Sequence, residues 1–144
     1  MAHAENQIVI NKPVSEVFSF LADGLNNPKW RDGVMEIKLK SGAAGSEGAE
    51  YRQVLKGPFG RNIDGDYRLL TVNQDKELKF AVTSGPARPI GEYLFEQQAG
   101  STKLTFVLDY QTKGLAKLME PMIQRTMNSE VAALSNLKQI LESA

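Results

Sequence analysis

Polar and apolar residues alternate through most of this chain, and the period lengthens near both ends. Gln7 to Asn11 alternates with Ile8 and Ile10 on one face, which predicts a short strand. Pro13 suits the first turn of a helix, where its fixed φ fits and its missing N–H is not needed. Val14, Val17, Phe18 and Leu21 then recur at helical spacing until Asp23-Gly24. Asn26-Asn27-Pro28 is a second break, and Trp30 closes a short helix or turn. From Gly33 the period becomes two. Val34–Lys40, Ala49–Lys56, Arg61–Val72, Leu78–Thr83, Ile90–Gln97 and Lys103–Tyr110 are predicted strands, separated by short turns such as Ser41-Gly42, Gly57-Pro58-Phe59-Gly60 and Ala99-Gly100-Ser101. Connections this short favour antiparallel neighbours. The chain closes with an amphipathic helical stretch, Leu115 to Leu141, in which Pro121 either bends the helix or marks its start.

Parity sorts the strand side chains into a charged face and an aromatic and aliphatic face. Tyr51, Gln53 and Leu55 oppose Glu50, Arg52 and Lys56; Ile63, Tyr67 and Leu69 oppose Asp64, Asp66 and Arg68. Phe80, Tyr93, Phe95, Leu104 and Phe106 continue the apolar side. This is the pattern of an antiparallel sheet wet on one face. A sheet of this kind curved around one long helix can leave a hollow interior. All four tyrosines (Tyr51, Tyr67, Tyr93 and Tyr110) lie on the apolar parity. Their hydroxyls either reach the rim or serve a lined pocket with a few convergent polar groups.

Glu130 is the sharpest local anomaly. Ile123, Met127, Leu134, Leu137 and Leu141 all share its helical face, and Thr126 lies close to the same line. A carboxylate there must be paired, hydrogen-bonded or protonated. It is either a cavity carboxylate able to bind a polar ligand group, or the helix lifts locally and Glu130 meets an arginine or water. Leu115, Leu118, Met119, Met122 and Ile123 cluster around Pro121 and suit an adaptable apolar pocket. The candidate cavity residues are therefore Tyr51, Gln53, Tyr67, Phe80, Tyr93, Phe106, Met119, Met122, Thr126 and Glu130.

Composition narrows the chemistry. The 144 residues suit one domain able to bury roughly 68–70% of its unfolded surface. Lys+Arg and Asp+Glu both number 17, so a general nucleic-acid binder is not expected. With no cysteine and a single histidine, His3 in a terminus expected to fray, thiol, histidine-triad and multi-histidine metal chemistry are not open to the chain alone. No cofactor or metal is expected. No signal peptide or membrane span is evident, which makes a cytoplasmic protein the expectation. Asp64-Gly65-Asp66 lacks the remaining ligands of a calcium loop and reads as a strand bulge. Arg88, in a stiff Gly-Pro-rich loop, either caps a pocket mouth or is solvated.

The order strand, helix, short helix with Trp, six strands and long helix resembles the START/SRPBCC superfamily, also described as birch-pollen-allergen-like, and within it the bacterial polyketide cyclase/dehydrase-type members. The resemblance is carried by PVSEVFSFLADGLNNPKW (Pro13 to Trp30), GEYLFEQQAGSTKLTF (Gly91 to Phe106) and NLKQILE (Asn136 to Glu142). It implies an α+β helix-grip fold: a curved seven-stranded antiparallel sheet around a long C-terminal helix, with two short helices after the first strand and a cavity for apolar or amphipathic molecules. The superfamily shares no catalytic set, so none is carried over. Three functions follow as expectations. The first is binding of a hydrophobic, aromatic or lipid-like small molecule between sheet and helix. The second is a cyclase or dehydratase using Glu130 or a cavity tyrosine as general acid or base. The third is a protein-interaction module. A solid interior would exclude the first two.

Overall fold

The structure, a computed structural model, describes residues 1–57 and 60–143. Pro58 and Phe59, part of the turn expected at Gly57–Gly60, lie outside the described residues. Strand β1 (Ala2–Ile10) leads through helices α1 (Val14–Ala22) and α2 (Asn27–Trp30) to β2 (Val34–Ser41) and β3 (Glu50–Lys56). β4 (Asn62–Asp64), β5 (Tyr67–Asn73), β6 (Glu77–Val82), β7 (Ile90–Gln98) and β8 (Ser101–Tyr110) follow, then α3 (Glu120–Ala132) and α4 (Leu134–Glu142). The strands form one antiparallel sheet in the order β1-β8-β7-β6-β5-β3-β2, with the short β4 on β3. This is the expected helix-grip arrangement.

Most strand ends shift by a residue or two from their predicted bounds, and two segments differ by more. The segment expected as one strand, Arg61–Val72, is divided at Gly65-Asp66 into β4 and β5. There the Gly65 amide bonds the Gln53 carbonyl and the Asp66 carboxylate takes the Gln53 N–H at 3.1 Å, which turns the chain out of the ladder. β1 also begins at Ala2, not Gln7, so His3 is not frayed: it pairs with Asp109 of β8. The carboxylates of Asp109 and Glu5 hold its imidazole above the usual histidine pKa. Register shifts in β2 against β3 and at Leu69–Thr71 in β5 add the bends a curved sheet requires.

The C-terminal helix is not continuous. Pro121 sits in the first turn of α3, preceded by a 3₁₀ segment over Gly114–Met119, so it marks a start and not a kink. A break at Ala133 then separates α3 from α4. Asn6, on the inner face of β1, donates its side-chain N–H to the Val131 carbonyl at 3.0 Å and satisfies a backbone group beside that break. α4 buries Leu134, Leu137 and Leu141. Both helices pack on β1.

The core falls into two clusters. The larger joins Ile10, Phe18, Trp30, Phe95, Leu104, Phe106, Leu134 and Leu137 under the helices. The smaller, Ala49, Tyr51, Tyr67 and Leu69, lies on β5, β3 and the residue that precedes β3. Phe80 and Val72 touch both. Among the described residues, no helix is long and apolar enough to cross a membrane.

This division makes α4 the anchor. Leu137→Ala should cost about 2–5 kcal/mol of stability in urea unfolding, because the cavity it leaves cannot collapse. Met119→Ala, at a residue 47% exposed, should stay within about 0.5 kcal/mol of the parent.

Candidate functional site

Between the two clusters the apolar face of the sheet stands off α3, leaving a cavity of about 940 Å³. Gln53, Tyr67, Phe80, Tyr93 and Phe106 line it from the sheet, and Met119, Met122, Thr126 and Glu130 line it from the helix side. Tyr51 does not. It is fully buried behind Tyr67, stacked at 5.1 Å between ring centroids, and its hydroxyl accepts the Gly45 N–H at 3.0 Å. Strand parity placed Tyr51 on the correct face, but the curvature of the sheet puts it one layer too far back. Leu115 and Leu118 do not line the cavity either; they are 83% and 79% exposed. Arg88 is exposed, its Nε donating to the Gly85 carbonyl, while Pro86, Ala87 and Pro89 of its loop form part of the wall.

The sheet wall is a run of aromatic rings. Tyr67 meets Phe80 at 5.5 Å, Phe80 meets Tyr93 at 5.9 Å, and Tyr93 stacks on Phe106 at 4.4 Å. Such a run buries large area and favours flat or aliphatic guests. Two glycines give the rings room. A Cβ at Gly91 would lie 2.1 Å from the Phe80 ring, and one at Gly24 would lie 1.9 Å from the Tyr67 hydroxyl. The helix wall is softer, with Met119, Met122, Ile123 and Met127 facing the space. Exposed lining residues (Asp32, Lys56, Asp64, Arg125, Thr126 and Ser129) mark the mouth.

Polar groups within the cavity are few, and most are already matched. Asn27 donates one N–H to the Gln53 side-chain oxygen at 3.1 Å and the other to the Tyr67 hydroxyl at 3.0 Å. Gln53 in turn donates to the Gly65 carbonyl at 3.2 Å. Arg31 meets Glu130: its Nε lies 2.8 Å and its Nη2 2.7 Å from the same carboxylate oxygen. Of the two readings open for Glu130, the arginine partner is the one observed, on a carboxylate that also borders the cavity. Burial pulls the Arg31 guanidinium down, but the nearby Glu130 charge and the Tyr93 and Tyr67 hydroxyls outweigh it and hold the group firmly protonated.

The two cavity phenols differ from ordinary tyrosines. Burial pushes Tyr67 well above 10, against the lowering effect of the Asn27 hydrogen bond. Burial does the same to Tyr93, opposed by Arg31 and aided by Glu130. The Tyr93 hydroxyl borders the cavity and has no hydrogen-bond partner among the described residues.

Asn27 and Arg31 were not among the residues singled out from sequence. Asn27 opens and Arg31 follows the Asn-Pro-Lys-Trp turn of α2, whose Trp30 is 1% exposed and stands edge-on to Tyr93 and Phe106. A tryptophan fixed in the core carries its neighbours inward, and that was the available signal. The Trp30 carbonyl also accepts from Asn136 of α4, at 3.3 Å. Among the described residues no cluster of potential metal ligands is found.

A curved antiparallel sheet gripping a C-terminal helix over an apolar cavity defines the helix-grip class of proteins. The chain belongs to the family described as polyketide cyclase / dehydrase and lipid transport, which matches residues 1–142. No curated protein matches it in sequence. Among solved structures it resembles a START superfamily protein from Mycobacterium smegmatis, with a TM-score of 0.82 and 12% identity over 99% of both chains. It is also similar to Ara h 8.0201, with a TM-score of 0.76 and 15% identity over 99% of this chain and 98% of that one. The di-domain ARO/CYC BexL from the BE-7585A biosynthetic pathway matches with a TM-score of 0.78 and 18% identity, covering 99% of this chain but 47% of its own. At these identities the likeness shows the fold.

Two measurements check the site. Tyr67 and Tyr93 keep their protons in the fold above pH 10, where the unfolded chain releases them. The native state then holds more protons, so stability should fall as pH rises beyond about 10. Replacing both by Phe should flatten that fall in urea titrations. A double-mutant cycle on Arg31→Ala and Glu130→Ala should give a coupling of about 1–3 kcal/mol, between the values for exposed and fully buried pairs.

Proposed function

We propose that this protein binds a hydrophobic small molecule, aromatic or lipid-like, in the cavity between the sheet and α3. The observation that carries this reading is the space itself: about 940 Å³ walled mainly by aromatic and aliphatic side chains. Sites for small organic ligands typically span about 300–1,000 Å³ and combine apolar walls with a few placed polar groups. The ring series from Tyr67 to Phe106 supplies the wall, and Gln53, Thr126, Glu130 and Tyr93 supply the polar positions. Membership of a family whose description includes lipid transport agrees with this.

The cyclase or dehydratase reading requires Glu130 or a tyrosine to exchange protons near neutral pH. Glu130 is engaged by Arg31, and both cavity phenols are shifted far from neutrality. The geometry therefore favours holding a guest over moving its protons. An interaction module without a small ligand would be favoured by a filled interior, and the cavity is open.

Nile red should bind with enhanced fluorescence, and ligand at about 100 times its Kd should stabilise the fold by about 2.7 kcal/mol. Val82→Trp, which places an indole in the cavity from β6, should abolish dye binding while leaving a cooperative melt. Absence of dye binding and of any small molecule in native mass spectra of protein from its own host would overturn the reading.

A further inference from the structure

The charges around the cavity specify its guest more closely than its size does. Three cations line it, Arg31, Lys56 and Arg125, against three anions, Asp32, Asp64 and Glu130. Only Arg31 and Glu130 are withdrawn from solvent, with side chains 12% and 25% exposed; the other four are exposed at the mouth. The one buried cation is thus neutralised by a carboxylate at 2.7–2.8 Å. A ligand carboxylate reaching Arg31 would have to approach Glu130 as well, and would lose its hydration without gaining a free counter-charge.

What the interior does offer is hydrogen-bond donors. Tyr93 has no partner for its hydroxyl, and Tyr67 accepts from Asn27 without passing its own proton to any described group. Phe80 lies between these two phenols, in ring contact with both. A flat guest resting on Phe80 would meet O–H donors at its ends and aromatic rings along its face.

We infer that the cavity selects uncharged aromatic molecules bearing a hydrogen-bond acceptor, such as a ketone or ester carbonyl received by Tyr93, and discriminates against carboxylates because Glu130 already occupies Arg31. This rests on the small-molecule reading above and specifies the ligand class of the same site. Glu130 acts here as a specificity element: removing its charge frees Arg31 and should admit anions.

The test displaces Nile red at neutral pH with three probes of nearly equal size: 2-acetylnaphthalene, 2-naphthoate and 2-ethylnaphthalene. The ketone should bind about tenfold more tightly than the carboxylate, and several-fold more tightly than the ethyl compound, the margin of one hydrogen bond. Glu130→Gln should tighten 2-naphthoate about tenfold and so remove the advantage of the ketone over the carboxylate. Tyr93→Phe, which keeps the ring, should erase the advantage of the ketone over the ethyl compound, and it tests the proposal even if the Glu130 variant does not fold. Equal binding of ketone and carboxylate by the wild type, or an unchanged ketone-to-ethyl ratio in Tyr93→Phe, would sink this inference while the cavity reading stands. Failure of Nile red and all three probes to bind would remove both.

Discussion

A bent sheet presents more apolar surface than two helices anchored at one edge can cover, and this mismatch organises the molecule. α4 is tied down by Leu134, Leu137 and Leu141 against the β1 side of the sheet. α3 is held to the same edge by the buried Met127 and Val131, and beside the Ala133 break Asn6 donates to the Val131 carbonyl. Its cavity face also carries a polar contact, Glu130 to Arg31. Close packing is the normal state of a protein interior, so a gap of this size must be propped open. Here α2 is the prop: Trp30 is wedged against Tyr93 and Phe106, while its carbonyl and the adjacent Arg31 reach the two C-terminal helices.

The two walls have different mechanical characters. The sheet wall is stiff, because Gln53, Asn27 and Tyr67 bond one another and the Gly65 carbonyl, and the aromatic rings lean on neighbours or over glycines. Buried polar groups matched in this way hold their geometry, whereas an unmatched one carries a cost of about 1–3 kcal/mol. Among the described residues the Trp30 indole nitrogen is buried without a hydrogen-bond partner and faces aromatic rings, and the Tyr93 hydroxyl is likewise unmatched. The helix wall is flexible in shape, lined by methionines with several rotatable bonds. A rigid aromatic floor beneath an adaptable roof suits molecules that share a flat portion and vary elsewhere.

Much of this was legible in the chain. The period-two segments located the strands, and their parity placed Tyr67, Phe80, Tyr93 and Phe106 on the face that borders the cavity. The same rule misplaced Tyr51, because parity distinguishes the two faces of a sheet but not the positions along a curved one. Helical spacing identified Glu130 as out of place among its neighbours, while Pro121 could equally have bent the helix or begun it. The spacing could not decide whether the carboxylate was free, since Arg31 lies far away in sequence and belongs to no periodic pattern. Leu115 and Leu118 have the composition of a pocket and stand in solvent. A 3₁₀ segment turns its residues by a different angle from the α-helix whose period suggested otherwise.

Local backbone preference and the alternation of polarity are properties of short stretches, and they suffice to define the elements, their inner faces and the class of fold. Whether the inner faces meet or stand apart depends on distances between residues remote in the chain. Asn6 with Val131, Arg31 with Glu130 and Trp30 with Asn136 are each separated by about a hundred residues or more. Only the folded structure brings them together, and so it alone decided that the interior is open, which residues border it, and that its one buried cation is already matched.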